Sequence, residues 1–135
     1  MDPGDSYARI LRDVAARAAA AEVLVAVDGR ALLGTVTFVP DGGPLGEIAG
    51  GEETEFRMLA VAPAGQRRGV GIALLAHVVE ESRRRGKAGV VCSSQPAMAA
   101  AHRLYARLGF RRAPERDWSP VPGVDLLAFT LRLTG

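Results

Sequence analysis

The chain has 135 residues, enough for one domain with a single hydrophobic core and no need of disulfide or metal staples. Hydrophobic residues make up 48% and charged residues 24%, an ordinary globular balance, and a net charge of only +2 gives no argument for nucleic-acid binding. Cys92 is the single cysteine, which excludes an internal disulfide and a thiolate-built zinc site and fits a reducing, cytoplasmic compartment.

The N-terminal stretch "MDPGDSYARILRDVAARAAAAE" lacks the uninterrupted apolar core of a signal peptide, and no apolar run approaches the roughly 18 residues needed to span a membrane. Within it, Ser6 to Ala21 reads as a helix, with Ile10, Val14 and Arg17/Ala18 on one face and alanine elsewhere. Val23 to Val27 and Leu32 to Val39 are strand-like, and Asp28-Gly29 between them signals a hairpin with a link slightly longer than two residues. Pro40 to Glu53 is too rich in Gly and Pro to be regular and forms the longest loop. Phe56 to Val61 is a strand ended by Pro63. From Gly69 the period changes: Val70, Leu74, Leu75, Val78 and Val79 recur at helical spacing, with basic residues at Arg83 to Arg85 and Gly86 as C-cap. Val90 to Cys92 is a short buried strand, Pro96 to Leu108 an amphipathic helix closed by Gly109, and "DLLAFTLRL" a final strand. This order predicts a single α/β (mixed α+β) domain over residues 1–135, with a central mixed twisted sheet flanked by helices.

The junction "AVAPAGQRRGVGIALL" carries the chemistry. A strand feeding a glycine-rich turn into a helix N-terminus gathers unpaired backbone N–H groups at the positive end of a helix dipole, which suits an anion. Gly69 and Gly71 leave room for a pyrophosphate to approach the backbone, and Arg67 and Arg68 add charge. A P-loop would need Gly-Lys-Ser/Thr where Gly71-Ile72 stands. A dinucleotide fingerprint would need Gly or Ala at Leu74, and its glycines would have to follow the strand directly.

Gln66-Arg67-Arg68-Gly69-Val70-Gly71 has the form Q/R-x-x-G-x-G/A after a strand ending "LAVAP", and resembles the acetyl-CoA pyrophosphate signature of the GNAT superfamily of N-acetyltransferases. "AMAAAHRLYARLGFRR" is similar to the family's later helix, with Tyr105 followed by Leu108-Gly109-Phe110. The tail "RRAPERDWSPVPGV" resembles members of actinobacterial type and implies no substrate.

The resemblance implies the GNAT fold and acetyl-CoA as co-substrate, with no metal. By that likeness the backbone of Leu59, Ala60 and Val61 meets the pantetheine arm, and Gln66, Arg67, Arg68, Gly69, Val70 and Gly71 hold the pyrophosphate. Tyr105 serves as general acid to the leaving sulfur. Glu55 matches the place of a base that deprotonates the amine, with Glu52 and Glu53 near enough to compete. The acceptor is an amine of a small molecule, peptide or protein, attacked directly in a ternary complex. Two departures stand out. Met98 occupies the place, seven residues before the tyrosine, where asparagine is common, and no strand precedes the helix expected at Ser6 to Ala21. A sheet lacking its first strand has a bare edge, which favours pairing and points to a homodimer. It also motivates two rivals to catalysis: a silent acyl-CoA-binding module or sensor, and a subunit completed by another chain.

Other polar residues read more plainly. His77 and His102 are isolated and lack the carboxylate pattern of a metal site. Cys92 in a buried strand is a core residue, and Arg83 to Arg85 a solvated helix end. Trp118 and Arg116-Asp117 either line the cleft or anchor a loop. Pro40 to Glu53 and Glu115 to Val124 are expected to shape the acceptor pocket.

Overall fold

The computed structural model describes residues 9–13, 21–40, 49, 52–66 and 68–133, the first of these segments as backbone. Eight strands form one sheet: β1 (Arg9–Asp13), β2 (Glu22–Asp28), β3 (Ala31–Val39), β4 (Glu53–Val61), β5 (Gly89–Ser94), β6 (Arg111–Arg112), β7 (Trp118–Val121) and β8 (Val124–Arg132). Their order is β1-β2-β3-β4-β5-β8-β6, with β7 folded against β8 as a hairpin. Among the described residues two α-helices, α1 (Val70–Arg84) and α2 (Ala99–Arg107), pack on the sheet. All pairings are antiparallel except β4–β5, whose parallel connection runs through α1 as a crossover. Among the described residues no helix is long and apolar enough to cross a membrane.

Most expected elements are present, with three corrections. Residues expected to be helical at the N-terminus include β1, a strand paired to β2 from Arg9↔Val27 to Asp13↔Val23; residues 14–20 lie outside the described ones. The three apolar positions that suggested a helix set a weak period, and a neighbouring strand with an open ladder satisfies the backbone of Arg9–Asp13 instead. The β2 edge taken to be bare is therefore covered by β1, the new end strand of the sheet, and the expectation of a missing first strand is overturned. Second, the later helix starts at Ala99, three residues late, because Pro96 and Ala97 form a turn closed by Met98 N–H donating to Gln95 O at 3.1 Å. Third, the β2–β3 link is a two-residue turn, Gly29-Arg30, with Gly29 at φ 61°.

The core lies between the sheet and both helices. Leu24, Val36, Phe38 and Phe56 from the strands meet Val70, Leu74, Leu75 and Val78 from α1. Thr54 and Phe56 share this face: the Thr54 hydroxyl bonds to Ser82 of α1 at 2.8 Å, and the Phe56 ring packs on Tyr105 of α2. Glu55, between them in sequence, points to the other face. At the far end of α1, Arg85 donates to Glu81 at 2.9 Å and reaches Glu22 of β2, so it is tied down rather than simply solvated.

The first turn of α1 is seated by a close approach. A Cβ on Gly34 of β3 would stand 2.8 Å from Val70 Cγ1 and 3.0 Å from the Ala60 carbonyl oxygen. The carbonyl belongs to the sheet and cannot retreat. Gly34→Ala is expected to destabilise the fold by about 1–3 kcal/mol, the cost of overpacking a fitted core, read as a lower urea midpoint at unchanged slope; an unchanged midpoint would show that the helix seat is loose.

Candidate active site

The site starts where β4 leaves β5. Their parallel ladder runs from Glu53↔Gly89 to Phe56↔Cys92 and stops, although β4 continues to Val61 and β5 to Ser94. On its other side β4 stays bound to β3, with a dislocation. Thr37 pairs with Arg57 and Thr35 with Ala60, so Met58 and Leu59 both stand against Val36 as a bulge. Met58 has φ 60°, a left-handed conformation that costs a non-glycine residue about 1–3 kcal/mol, and its side chain is 75% exposed. The opening between the diverging strands is a cleft of about 590 Å³, walled by Arg57, Met58 and Leu59, by Ser93, Ser94 and Gln95, and by Met98, Ala101 and Tyr105 of α2.

A second cleft, of about 480 Å³, lies at the N-terminus of α1. Gln66, Gly69, Val70, Gly71 and Ile72 form one wall, and Arg103, Leu104 and Arg107 of α2 the other. Gly69 caps the helix at φ 74°, a conformation open to glycine that turns the chain into α1. Gly71 has a different reason: a Cβ there would meet Leu104 Cδ2 at 3.0 Å, so the glycine lets α2 approach α1. The dipole end of a four-turn helix thus faces two guanidinium groups across a gap, a setting made for an anion.

Tyr105 joins the first cleft to the core. It is 4% exposed and surrounded by three of the chain's four phenylalanines: Phe129 at 5.1 Å, Phe56 at 5.7 Å and Phe110 at 6.0 Å between ring centroids. Burial pushes its phenol well above the ordinary tyrosine range, the nearby Cys92 thiol adds to that rise, and the nearby Ser94 hydroxyl works against it. Burial likewise drives the Cys92 thiol up, with Glu55 contributing by its charge. Ser94 Oγ also meets His102 Nε2 at 3.1 Å, and the His102 ring stacks on Phe129 at 4.8 Å.

The sequence pattern of the acetyltransferase (GNAT) family matches residues 2–110, well over half of the chain. The chain belongs to the GNAT acetyltransferase family. It is 40% identical over 65 residues to the ribosomal protein bS18-alanine N-acetyltransferase of Escherichia coli, a match covering 48% of this chain and 44% of that protein. The chain therefore aligns with less than half the length of these curated relatives. The crystal structure of an Escherichia coli enzyme of that activity superposes with a TM-score of 0.68 at 24% identity, covering 88% of this chain and 73% of the other. A Bacillus subtilis acetyltransferase in complex with CoA reaches 0.72 at 16% identity, covering 95% and 100%. A Salmonella typhimurium protein solved with its cofactor acetyl-CoA reaches 0.64 at 29%, covering 84% and 65%.

Within this GNAT domain the residues singled out from sequence distribute unevenly. Leu59 and Tyr105 line the first cleft; Val61, Gln66, Gly69, Val70 and Gly71 line the second, and Ala60 sits between Leu59 and Val61 on the same strand. Arg68 is drawn away to Asp28 on the β2–β3 turn at 2.9 Å, and Arg67 lies outside the described residues. Glu55 is fully buried on the face opposite Tyr105, accepts from Ala49 N–H at 3.1 Å and lines neither cleft. Its two competitors separate: Glu53 is held by Arg116 through both oxygens at 2.7 and 2.9 Å, and Glu52 is exposed in a turn.

Sequence reasoning missed Met58, Ser93, Ser94, Arg103 and Arg107. For the arginines a signal existed, since Arg103 and Arg107, an i,i+4 pair two residues either side of Tyr105, share a face of α2. Trp118 and Arg116-Asp117 prove to be anchors: Trp118 Nε1 donates to Ser93 Oγ at 2.9 Å, and Asp117 binds Arg112 through both oxygens at 2.8 Å. Of Glu115 to Val124, expected to be loop, Trp118–Val121 is the hairpin strand β7.

Cys92 and Tyr105 hold their protons more tightly in the folded chain than in the unfolded one. Their contribution to stability is complete below the pKa of the unfolded thiol, about 8.5, and is lost as pH rises above it. Urea midpoints should fall between about pH 8 and about pH 10, and Cys92→Ala should make that fall shallower; the same slope in both proteins would show that the thiol does not couple to folding.

Proposed function

We propose that this domain transfers an acetyl group from acetyl-CoA to an amine by direct attack in a ternary complex. The observation that carries the reading is continuity along α2: Arg103, Leu104 and Arg107 line the helix-end cleft, while Ala101 and Tyr105 line the cleft between β4 and β5. One extended molecule with phosphates at one end and a thioester at the other matches that path. The relatives solved with CoA and acetyl-CoA support the same donor.

In this reading the pyrophosphate lies at Gln66 to Gly71, with Arg67 and Arg68 as the phosphate cations implied by the family and Arg103 and Arg107 across from them. The pantetheine arm runs beside Leu59, Ala60 and Val61, whose backbone lacks a β5 partner and can pair with its amides. An N–H from that segment stabilises the oxyanion as the amine attacks the thioester carbonyl. The C–S bond then breaks with its electron pair on sulfur, and Tyr105 supplies the proton. A phenol held above its ordinary pKa stays protonated at neutral pH, which is the state an acid needs. The amine's surplus proton leaves through water; Glu55, the base that the family likeness offers, is buried on the opposite face of β4 and lines neither cleft, so it receives that proton only through a relay. The acceptor is an amine of a small molecule or of a peptide or protein; the relatives that act on an alanine of a ribosomal protein favour a protein N-terminus.

Calorimetry with acetyl-CoA, followed by thiol-release assays over a panel of amines, tests this. Tyr105→Phe is expected to lower kcat by about 100-fold or more and to leave the Kd for acetyl-CoA within about threefold of the parent. Turnover equal to the parent's would remove Tyr105 from the chemistry, and no binding at millimolar acetyl-CoA would remove the donor.

A further inference from the structure

We propose that the Ser93 hydroxyl holds the acceptor, donating to the carbonyl oxygen beside its amine, and that Trp118 orients that hydroxyl. The proposal rests on the acetyltransferase reading above and narrows its acceptor to an α-amine, as at a peptide N-terminus. Ser93 is the first β5 residue past the last β4–β5 rung, Phe56↔Cys92, and it lines the cleft that opens there. β8 holds its backbone from the other side, opposite Ala128. Cys92 lies in the core with Tyr105, so strand alternation turns the Ser93 side chain to the opposite face.

The direction of the hydroxyl follows from what its partner can do. Trp118 Nε1 stands 2.9 Å from Ser93 Oγ. An indole N–H donates and cannot accept. Ser93 therefore accepts this bond, and its own proton is left over. Among the described residues that proton has no acceptor. The indole is carried by β7, which is fixed in turn by pairing to β8, with Trp118 opposite Leu126 of the cleft wall. The neighbouring Ser94 hydroxyl is already in contact with His102 Nε2 at 3.1 Å. Ser93 thus offers the cleft a hydrogen-bond donor whose orientation is set before any ligand arrives.

That donor selects a particular kind of amine. The carbonyl of a peptide's first residue is attached to the same Cα as its amine, so the two groups can meet the thioester and Ser93 together. A lysine ε-amine or a polyamine has only methylenes in that place and leaves the hydroxyl unpaired. Charge points the same way. Arg57 is the one charged side chain among the described residues of the cleft wall, so a second cationic group on the acceptor meets no carboxylate there.

Trp118 is the chain's only tryptophan, so its indole N–H gives a single NMR signal that reads the bond without turnover. Ser93→Ala should move that signal upfield and speed its exchange with water; an unmoved signal overturns the proposal. For transfer, the probes are alanyl-leucine amide and its analogue with the first carbonyl reduced to methylene. Ser93→Ala should cut the parent's preference in kcat/KM for the peptide over the analogue about tenfold, with the KM for acetyl-CoA within about twofold. The two amines differ in basicity, but that difference is common to every variant and cancels in the comparison. Ser93→Thr, which keeps a hydroxyl, should restore the preference to within about threefold of the parent. Trp118→Phe should reduce the preference about threefold in the parent and leave it unchanged when Ser93→Ala is already present. Equal losses on both probes in Ser93→Ala, or a parental preference in that variant, would refute the contact with the carbonyl. Equal effects of Trp118→Phe with and without the serine would refute the orienting role. A parent that acetylates other amines but not the peptide would overturn the α-amine acceptor. One that transfers to no amine would instead overturn the acetyltransferase reading and, with it, the molecule that Ser93 is said to hold.

Discussion

Every feature of the site depends on where one ladder stops. β4 and β5 pair for the length of Glu53 to Phe56 and then part, so that Leu59 to Val61 run on without β5 beside them. An unpaired strand edge is costly to bury and ready to bind. Here it is neither buried nor left to an accidental partner, because α2 closes one side of the gap and limits what can enter to something narrow and extended. The opening is held by its neighbours. Phe56, Phe110 and Phe129 pack around Tyr105 at the point of divergence, and β3 grips β4 through the bulge at Met58-Leu59.

That arrangement spends stability locally. Met58 sits in a left-handed conformation with an exposed side chain, so nothing about its own packing explains the strain. The strain is explained by what it does to the chain: it shifts the register by one residue, so that the strand continues past the gap still paired to β3 at Ala60 and Val61. The helix-end cleft is built by the opposite means, tight packing, with Gly34 and Gly71 letting β3, α1 and α2 come together around the first turn of α1. Tyr105 and the helix N–H groups are set before any ligand arrives, which is the condition for electrostatic preorganisation. The sheet also separates Tyr105, on the helix face, from the buried carboxyl of Glu55 on the other.

The junction from Ala60 to Leu75 was legible because its signals are local: a proline ends the strand, a left-handed glycine turns it, and an apolar period of about 3.6 follows. Tyr105 was legible through its spacing to Gly109 and through the helix it closes. What escaped depends on contacts far apart in sequence. Arg9–Asp13 is a strand because β2 offers it a ladder, and no local period announces that. The Met58 bulge exists only relative to β3, and Arg68 is diverted by an aspartate 40 residues away. Glu53 and Glu55 look alike in sequence and differ because strand alternation and Arg116 treat them differently. Local chemistry marked the glycine turn into α1, and tertiary contact decided which nearby charges face it.

The central claim is that the gap between β4 and β5, continued along α2 to the start of α1, is a binding path for acetyl-CoA. Amide chemical shifts on titration with acetyl-CoA test it most directly. The account predicts that the largest changes fall on Leu59 to Val61, on Gly69 to Gly71 and on Tyr105, with the β6 edge and the β7–β8 hairpin unmoved. No shifts at millimolar acetyl-CoA, or shifts concentrated around Glu53, Arg116 and Arg132 at the other end of the sheet, would contradict it.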